Sequence, residues 1–364
     1  IMSMQFLILA SLIIWSSLSP VDDLAIVVTF GLIIAISSAS QDITIDALRI
    51  EQIGKDESAA MAAGAATAVV GWWSGYKLGG LITLVTADWI QSLGYNNYWQ
   101  ISFIIICSIV ILCNIGLFFI PESGTDERIL SQQKDQADIQ NQIGVSGNFG
   151  RLLAWFMATI ISPLFSFFKK NGVAIGLSIL GFIFLFKIGE AFLGRMSILF
   201  YKEIGFSKSD IALYSKGLGW ITTVSFTLIG GWFAIKAGVI RALFVSGIIM
   251  ALTNLMFTFL AWSGKSELLF AAAVLLDDLA AAFATVAFVT FISMLVDRNY
   301  TATQYALLAS IGTAGRTLMA SSSGALVDWL NGDWGTFFII TALMVIPSLV
   351  LLWFIRKKIV LKVN

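Results

Sequence analysis

Residues 173–200 read VAIGLSILGFIFLFKIGEAFLGRMSILF. The stretch is long enough to cross the hydrocarbon core of a bilayer, which takes roughly 20 mostly apolar residues. Yet it carries Lys187, Glu190 and Arg195. A charge at the centre of a spanning helix costs about 2.5–3.5 kcal/mol on insertion scales, so it normally faces a bundle interior or a water-filled cavity. The segment therefore predicts several helices packed around a wet interior.

The whole chain fits that expectation. Of its 364 residues 58% are hydrophobic and 12% are charged; the mean hydropathy is +0.89. A soluble domain averages about 45–50% apolar and about 25% charged. Lysine plus arginine equals aspartate plus glutamate, 22 against 22, so no net field recruits nucleic acid or acidic lipid. The absence of histidine excludes His-ligated metals, Ser-His-Asp triads and histidine proton relays.

Ten segments qualify as candidate spans, at about 1–18, 23–46, 60–87, 97–120, 173–200, 210–235, 241–262, 268–296, 303–329 and 334–355. Residues 151–168 are also apolar, but Pro163 interrupts them and Lys169 and Lys170 close them. They are expected to form an interfacial helix. The polar stretch before them, from Pro121 to Gly150, reads as a central loop. With ten spans, fourteen lysines and arginines fall on one face and three, Lys202, Lys208 and Lys265, on the other. That is the bias of the positive-inside rule, and it puts residue 1 and the C-terminus in the cytoplasm.

The first, fourth, seventh and tenth segments hold no charge in their apolar cores; the other six do. The second has Asp42 and Asp46, the third Lys77, the fifth Lys187 and Glu190, the sixth Lys216, the eighth Asp277 and Asp278, and the ninth Arg316. Every third helix is then a lipid-facing support, and the other two of each triplet line something wet. Such a rhythm suggests three-helix repeats. It fits the major facilitator superfamily, in which the third, sixth, ninth and twelfth helices are peripheral. Setting the first charge-free segment as the third helix, and noting that Ile1 already lies inside an apolar run, gives the expectation that two helices precede this stretch.

The motifs sharpen the resemblance. Ser38–Glu51 (SASQDITIDALRIE) resembles the fourth helix of AmpG-type muropeptide permeases. Gly75–Gly79 (GYKLG) is similar to that family's GYRLG, and Pro121-Glu122 follows the sixth helix as expected. Phe186–Phe192 (FKIGEAF) resembles its YKLGDAF. Ala302–Leu308 (ATQYALL) with Gly315-Arg316 resembles its ATQFALL…GR pattern. In the loop from Gly231 to Arg241, Ile235 stands where an aspartate is common, and Arg195 is unusual for the helix that carries it.

The resemblance implies an all-α polytopic membrane protein, a facilitator fold with ten of twelve helices. It divides the chain into residues 1–120 (remainder of the N-terminal bundle), 121–172 (cytoplasmic loop with interfacial helix) and 173–364 (C-terminal six-helix bundle and basic tail). It also implies proton-coupled import of N-acetylglucosaminyl-anhydro-N-acetylmuramyl peptides across the bacterial inner membrane by a monomer. Protons are the coupling ion, with no cofactor, metal or nucleic-acid partner; the partners are the muropeptide and the bilayer. A permease for acetyl-CoA or a sugar is the alternative, and a membrane-embedded acyltransferase, which would need a catalytic constellation, a remote one.

Without histidine, the proton must be carried by a carboxylate or by a water chain ending at one. The candidates are Asp42, Asp46, Glu190, Asp277 and Asp278. Asp42 and Asp46, four apart, share a helix face, and Arg49 can pair with Asp46 in a purely structural latch. Asp42 ranks first because it is expected to be buried and has no basic residue within one turn. Asp278 and Glu190 follow. For the substrate, Lys77, Lys187 and Arg316 are cations for its carboxylates, or structural partners of buried acids. Gln41 and Gln304 are candidate polar contacts, and Trp72 and Tyr76 candidate stacking surfaces for a sugar ring.

Overall fold

The computed structural model describes residues 1–19, 21–54, 57–120, 130, 134, 137, 148–207 and 219–359. Lys216, Lys208, Pro121-Glu122 and most of the central loop lie outside the described residues. Among the described residues every regular element is helical.

All ten expected segments are helices where described. The described helices are α1 (Met2–Trp15), α2 (Leu24–Gln52), α3 (Ser58–Ser92) and α4 (Tyr98–Leu117), then, outside the ten, α5 (Asn148–Phe156) and α6 (Ser162–Asn171), joined by a π-turn at Met157–Ile161. There follow α7 (Val173–Leu185), α8 (Ile188–Ile204), α9 (Gly219–Ala237), α10 (Val239–Ser263), α11 (Glu267–Leu295), α12 (Thr301–Ala320), α13 (Ser323–Trp329), α14 (Trp334–Leu343) and α15 (Ile346–Ile355). Seven stretches among the described residues have the length and apolarity to cross a membrane. Six of these belong to the expected ten. The seventh, Gly150–Asn171, is the stretch expected to be interfacial. The other four expected segments fall short on length or apolarity alone, α1 among them at 14 residues.

Three expected spans are broken in the middle, each for a local reason. Between α7 and α8 the chain turns at Phe186–Lys187, with Lys187 at φ −106°, ψ 13°. After α12, Ser321, Ser322 and Ser323 turn their hydroxyls back onto the carbonyls of Leu318, Met319 and Ala320. Serine groups that bond their own backbone compete with the helical ladder. Between α14 and α15 the break precedes Pro347, whose ring removes a donor and crowds the preceding turn.

The chain forms two compact units: residues 1–52 with 72–128, and residues 53–71 with 129–364. The sequence reading assigned 53–71 to the first bundle. In the structure they pack within the second unit, where the Arg298 guanidinium donates to the Ile53 carbonyl and Gly231 lies against Ala66. A Cβ on Gly231 would sit 2.6 Å from that of Ala66, so only glycine permits the approach.

In the first unit Trp15 is the clamp. Its indole N–H donates to the Val27 carbonyl at 3.0 Å, and its ring packs 5.5 Å from that of Phe103. This ties α1 to α2 and α4. In the second unit the core is aromatic: Phe200, Tyr201, Phe257, Phe270 and Phe338 are buried together, with Phe200 and Phe338 edge-to-face at 4.7 Å. The four charge-free segments keep exposed apolar faces, shown by Phe6 on α1, Leu112 on α4, Leu252 on α10 and Val350 on α15. Large apolar side chains suit a lipid-facing wall.

Candidate functional site

The break between α7 and α8 places a lysine in the core. Lys187 is only 5% exposed. Its ammonium meets the Glu190 carboxylate at 3.0 Å and donates to the Thr285 hydroxyl at 2.8 Å. Glu190, half-buried, comes from the first turn of α8, and Thr285 from α11. An ionised lysine out of water is tolerable only when paired and hydrogen-bonded. Here both conditions are met by residues from two elements.

Asp277 and Asp278 sit on α11, half-buried, two turns before Thr285. Asp278 accepts from the Thr222 hydroxyl on α9 at 3.1 Å. Asp277 interacts electrostatically with Glu190, Asp278 and Lys187. The Arg316 guanidinium, exposed on α12, acts on Lys187 through space. One unit thus gathers three carboxylates, Glu190, Asp277 and Asp278, and two cations, Lys187 and Arg316.

The helix holding Arg316 is set by its neighbour Gly315, which lies against the backbone carbonyl of Phe184. Any Cβ there would collide with that carbonyl. Gly189 is pressed in the same way against the Thr341 carbonyl, which a Cβ would approach to 2.5 Å. Two glycines beside the charged residues therefore let the helices close around them.

The first unit treats its charges differently. Asp46 and Arg49 pair at 2.9 Å within α2, and both are partly exposed. Asp42 is exposed, where the sequence reading expected it buried. Gln41 buries its side-chain carbonyl oxygen without a hydrogen-bond partner among the described residues, and the Trp73 indole N–H is in the same state. Lys77 lies 5.2 Å over the Trp73 ring. Trp72 and Tyr76 stack at 5.7 Å with planes 8° apart, and both are exposed.

Gln304 is placed differently from its expected role as a substrate contact. It is buried, its amide N–H donates to the Pro163 carbonyl at 2.8 Å, and its oxygen accepts from the Asp297 N–H at 2.7 Å. The nitrogen end joins α12 to α6, and the oxygen end joins α12 to the turn after α11. Ser166 donating to Asp297 at 3.0 Å and Lys170 donating to the Leu295 carbonyl at 3.3 Å fasten the same corner. All three contacts attach α6 to the end of α11 and the start of α12. Arg195 is exposed.

Sequence reasoning missed Thr285 and Thr222. Thr285 lies seven residues after Asp278, on the same stripe of α11, so its spacing was legible. Thr222 had no comparable signal.

The sequence pattern of the Major Facilitator Superfamily matches residues 1–316. The chain belongs to that superfamily. It is 31% identical over 322 residues to "Putative transporter AmpG 4" of Rickettsia felis, covering 88% of this chain and 70% of that protein. It is 27% identical over 358 residues to the "Anhydromuropeptide permease" of Escherichia coli K12, covering 98% of this chain and 65% of that one. In fold it is similar to the proton:xylose symporter XylE, with a TM-score of 0.66 at 15% identity over 97% of this chain and 78% of XylE. This superfamily member is a multi-pass membrane transporter of the AmpG group, not an enzyme, which removes the acyltransferase alternative.

Proposed function

We propose that the protein imports cell-wall muropeptides across the bacterial inner membrane, with its C-terminus in the cytoplasm, and that protons drive the uptake. The substrate reading rests on relatives named as AmpG transporters and as an anhydromuropeptide permease. The coupling reading rests on one observation: three carboxylates face two cations in the second unit. Among the described residues these five carry one net negative charge when all are ionised, and one bound proton cancels it. Asp277 is the residue to hold that proton. Lys187 and Thr222 already occupy Glu190 and Asp278, whereas Asp277 accepts no hydrogen bond among the described residues.

The substrate is acidic and carries sugars, so the exposed Arg316 suits a carboxylate and the open Trp72–Tyr76 stack suits a sugar face. The test is uptake of radiolabelled anhydromuropeptide into proteoliposomes holding the full-length protein under an inward proton gradient. Uptake that collapses with a protonophore and is blocked by unlabelled anhydromuropeptide, but not by acetyl-CoA or xylose, supports the reading. Competition by acetyl-CoA or xylose instead assigns a different solute, and uptake unaffected by the protonophore removes proton coupling.

A further inference from the structure

The charges cancel over the sequence as a whole, but they do not cancel locally. A cavity of about 650 Å³ opens among the ends of α9, α10 and α15. Ala234, Gly238, Phe244 and Met294 form apolar wall, and Arg241, Arg356 and Lys357 stand at the rim. Among the described residues no carboxylate lines it. Among the described residues none of these three cations pairs with an acidic side chain. Three unneutralised cations over an apolar wall select an anion with a hydrocarbon part.

The surroundings fit the same ligand. The Arg356 guanidinium lies 5.0 Å over the Trp353 ring, and Trp353 and Trp232 are 59% and 60% exposed. Tryptophan concentrates at the headgroup level of a bilayer. Leu228 and Val350 continue the exposed apolar faces of α9 and α15 away from that level. This end of the unit also carries the exposed Lys236 and Lys358, so it is the end that the charge bias turns to the cytoplasmic leaflet, where anionic lipids attract basic segments.

We propose that this cavity binds an anionic phospholipid, its phosphate diester held by Arg241, Arg356 and Lys357 and its acyl chains lying along α9 and α15. A zwitterionic lipid is disfavoured because its ammonium group would meet three cations and no carboxylate. A free phosphate satisfies the cations but leaves the apolar flank uncovered.

Native mass spectrometry of the purified full-length protein, titrated with phosphatidylglycerol and separately with phosphatidylethanolamine, tests the proposal. Phosphatidylglycerol should stay bound where phosphatidylethanolamine does not. Near a membrane surface each basic residue is worth about a five-fold change in affinity. The triple substitution Arg241→Gln, Arg356→Gln, Lys357→Gln should therefore weaken phosphatidylglycerol binding on the order of a hundred-fold. The charge-keeping pair Arg241→Lys, Arg356→Lys should retain it, as should Lys202→Gln with Lys265→Gln at the other end. If the triple variant does not fold, Arg241→Gln alone should still lose about five-fold. Equal retention of both lipids, unchanged binding by the Gln variants, or full displacement of phosphatidylglycerol by inorganic phosphate would each overturn the proposal.

Discussion

The two units use the same charged residue types in opposite ways. In the first, Asp46 and Arg49 pair within one helix, three residues apart, and Asp42 stands exposed one turn away. In the second, Lys187 at a helix break reaches Glu190 and, across 98 residues of sequence, Thr285 on α11, while Asp278 reaches Thr222 on α9. The first pair lies within one helix. The second is tertiary, so its charges help to fix how α8, α9 and α11 pack. The difference separates a pair held within one helix from charges shared between helices.

The largest effect should come from breaking the second arrangement. Glu190→Gln removes the ion-pair partner of the buried Lys187 ammonium and leaves it the Thr285 hydroxyl and the through-space attraction of Asp277. Removing one partner of a buried pair costs about 3–5 kcal/mol, a loss measurable by urea unfolding in detergent. The double substitution Lys187→Met, Glu190→Gln should recover most of it, because the buried ammonium is removed together with its partner. If the single variant is as stable as the parent, the pair is not a tertiary lock. Next comes Gly315→Ala. Its methyl meets the Phe184 carbonyl, so α12 must shift away from α7, at a cost of about 1–3 kcal/mol by thermal melting.

The first unit should respond far less. Asp46→Asn should cost about 0.5 kcal/mol, the usual worth of a pair within one helix. A loss as large as that of Glu190→Gln would erase the contrast between the units. The smallest effect concerns the helix cap at Asp333. Its carboxyl accepts from the Thr336 hydroxyl at 2.6 Å and from the Thr336 N–H at 3.1 Å, and these bonds hold it below the ordinary carboxylate range. A lowered value means the contribution is present in full above pH 3.8, the ordinary value, and fades as pH falls through the lowered one. Asp333→Ala should remove a small acid-sensitive component of melting and leave the rest of the pH profile unchanged.

The apolar segments read from the sequence are helical where described, because apolar length is a local signal. The breaks were less visible. Pro347 is a local signal for one break, which the single span at 334–355 passes over, and the turn at Phe186–Lys187 lies in a run without proline. Gln304 shows the other limit: the motif around it marks a special position, while only the fold shows that both ends of its amide bind backbone at Pro163 and Asp297. Asp42 was ranked as the first proton carrier on an expectation of burial, which its exposed position does not match. Burial depends on what packs against a helix, and a hydropathy pattern does not carry that information.

The contrast between the units predicts where the coupling proton sits, and one paired measurement tests it. Asp277→Asn and Asp42→Asn are each introduced into the full-length protein in proteoliposomes, and gradient-driven muropeptide accumulation is compared with exchange at equal concentrations. Exchange requires no net proton movement, so a carrier residue can be lost without stopping it. The account predicts that Asp277→Asn abolishes accumulation while exchange persists, and that Asp42→Asn leaves both intact. Accumulation that survives Asp277→Asn with unchanged pH dependence, and fails in Asp42→Asn, would contradict it and place the proton in the first unit.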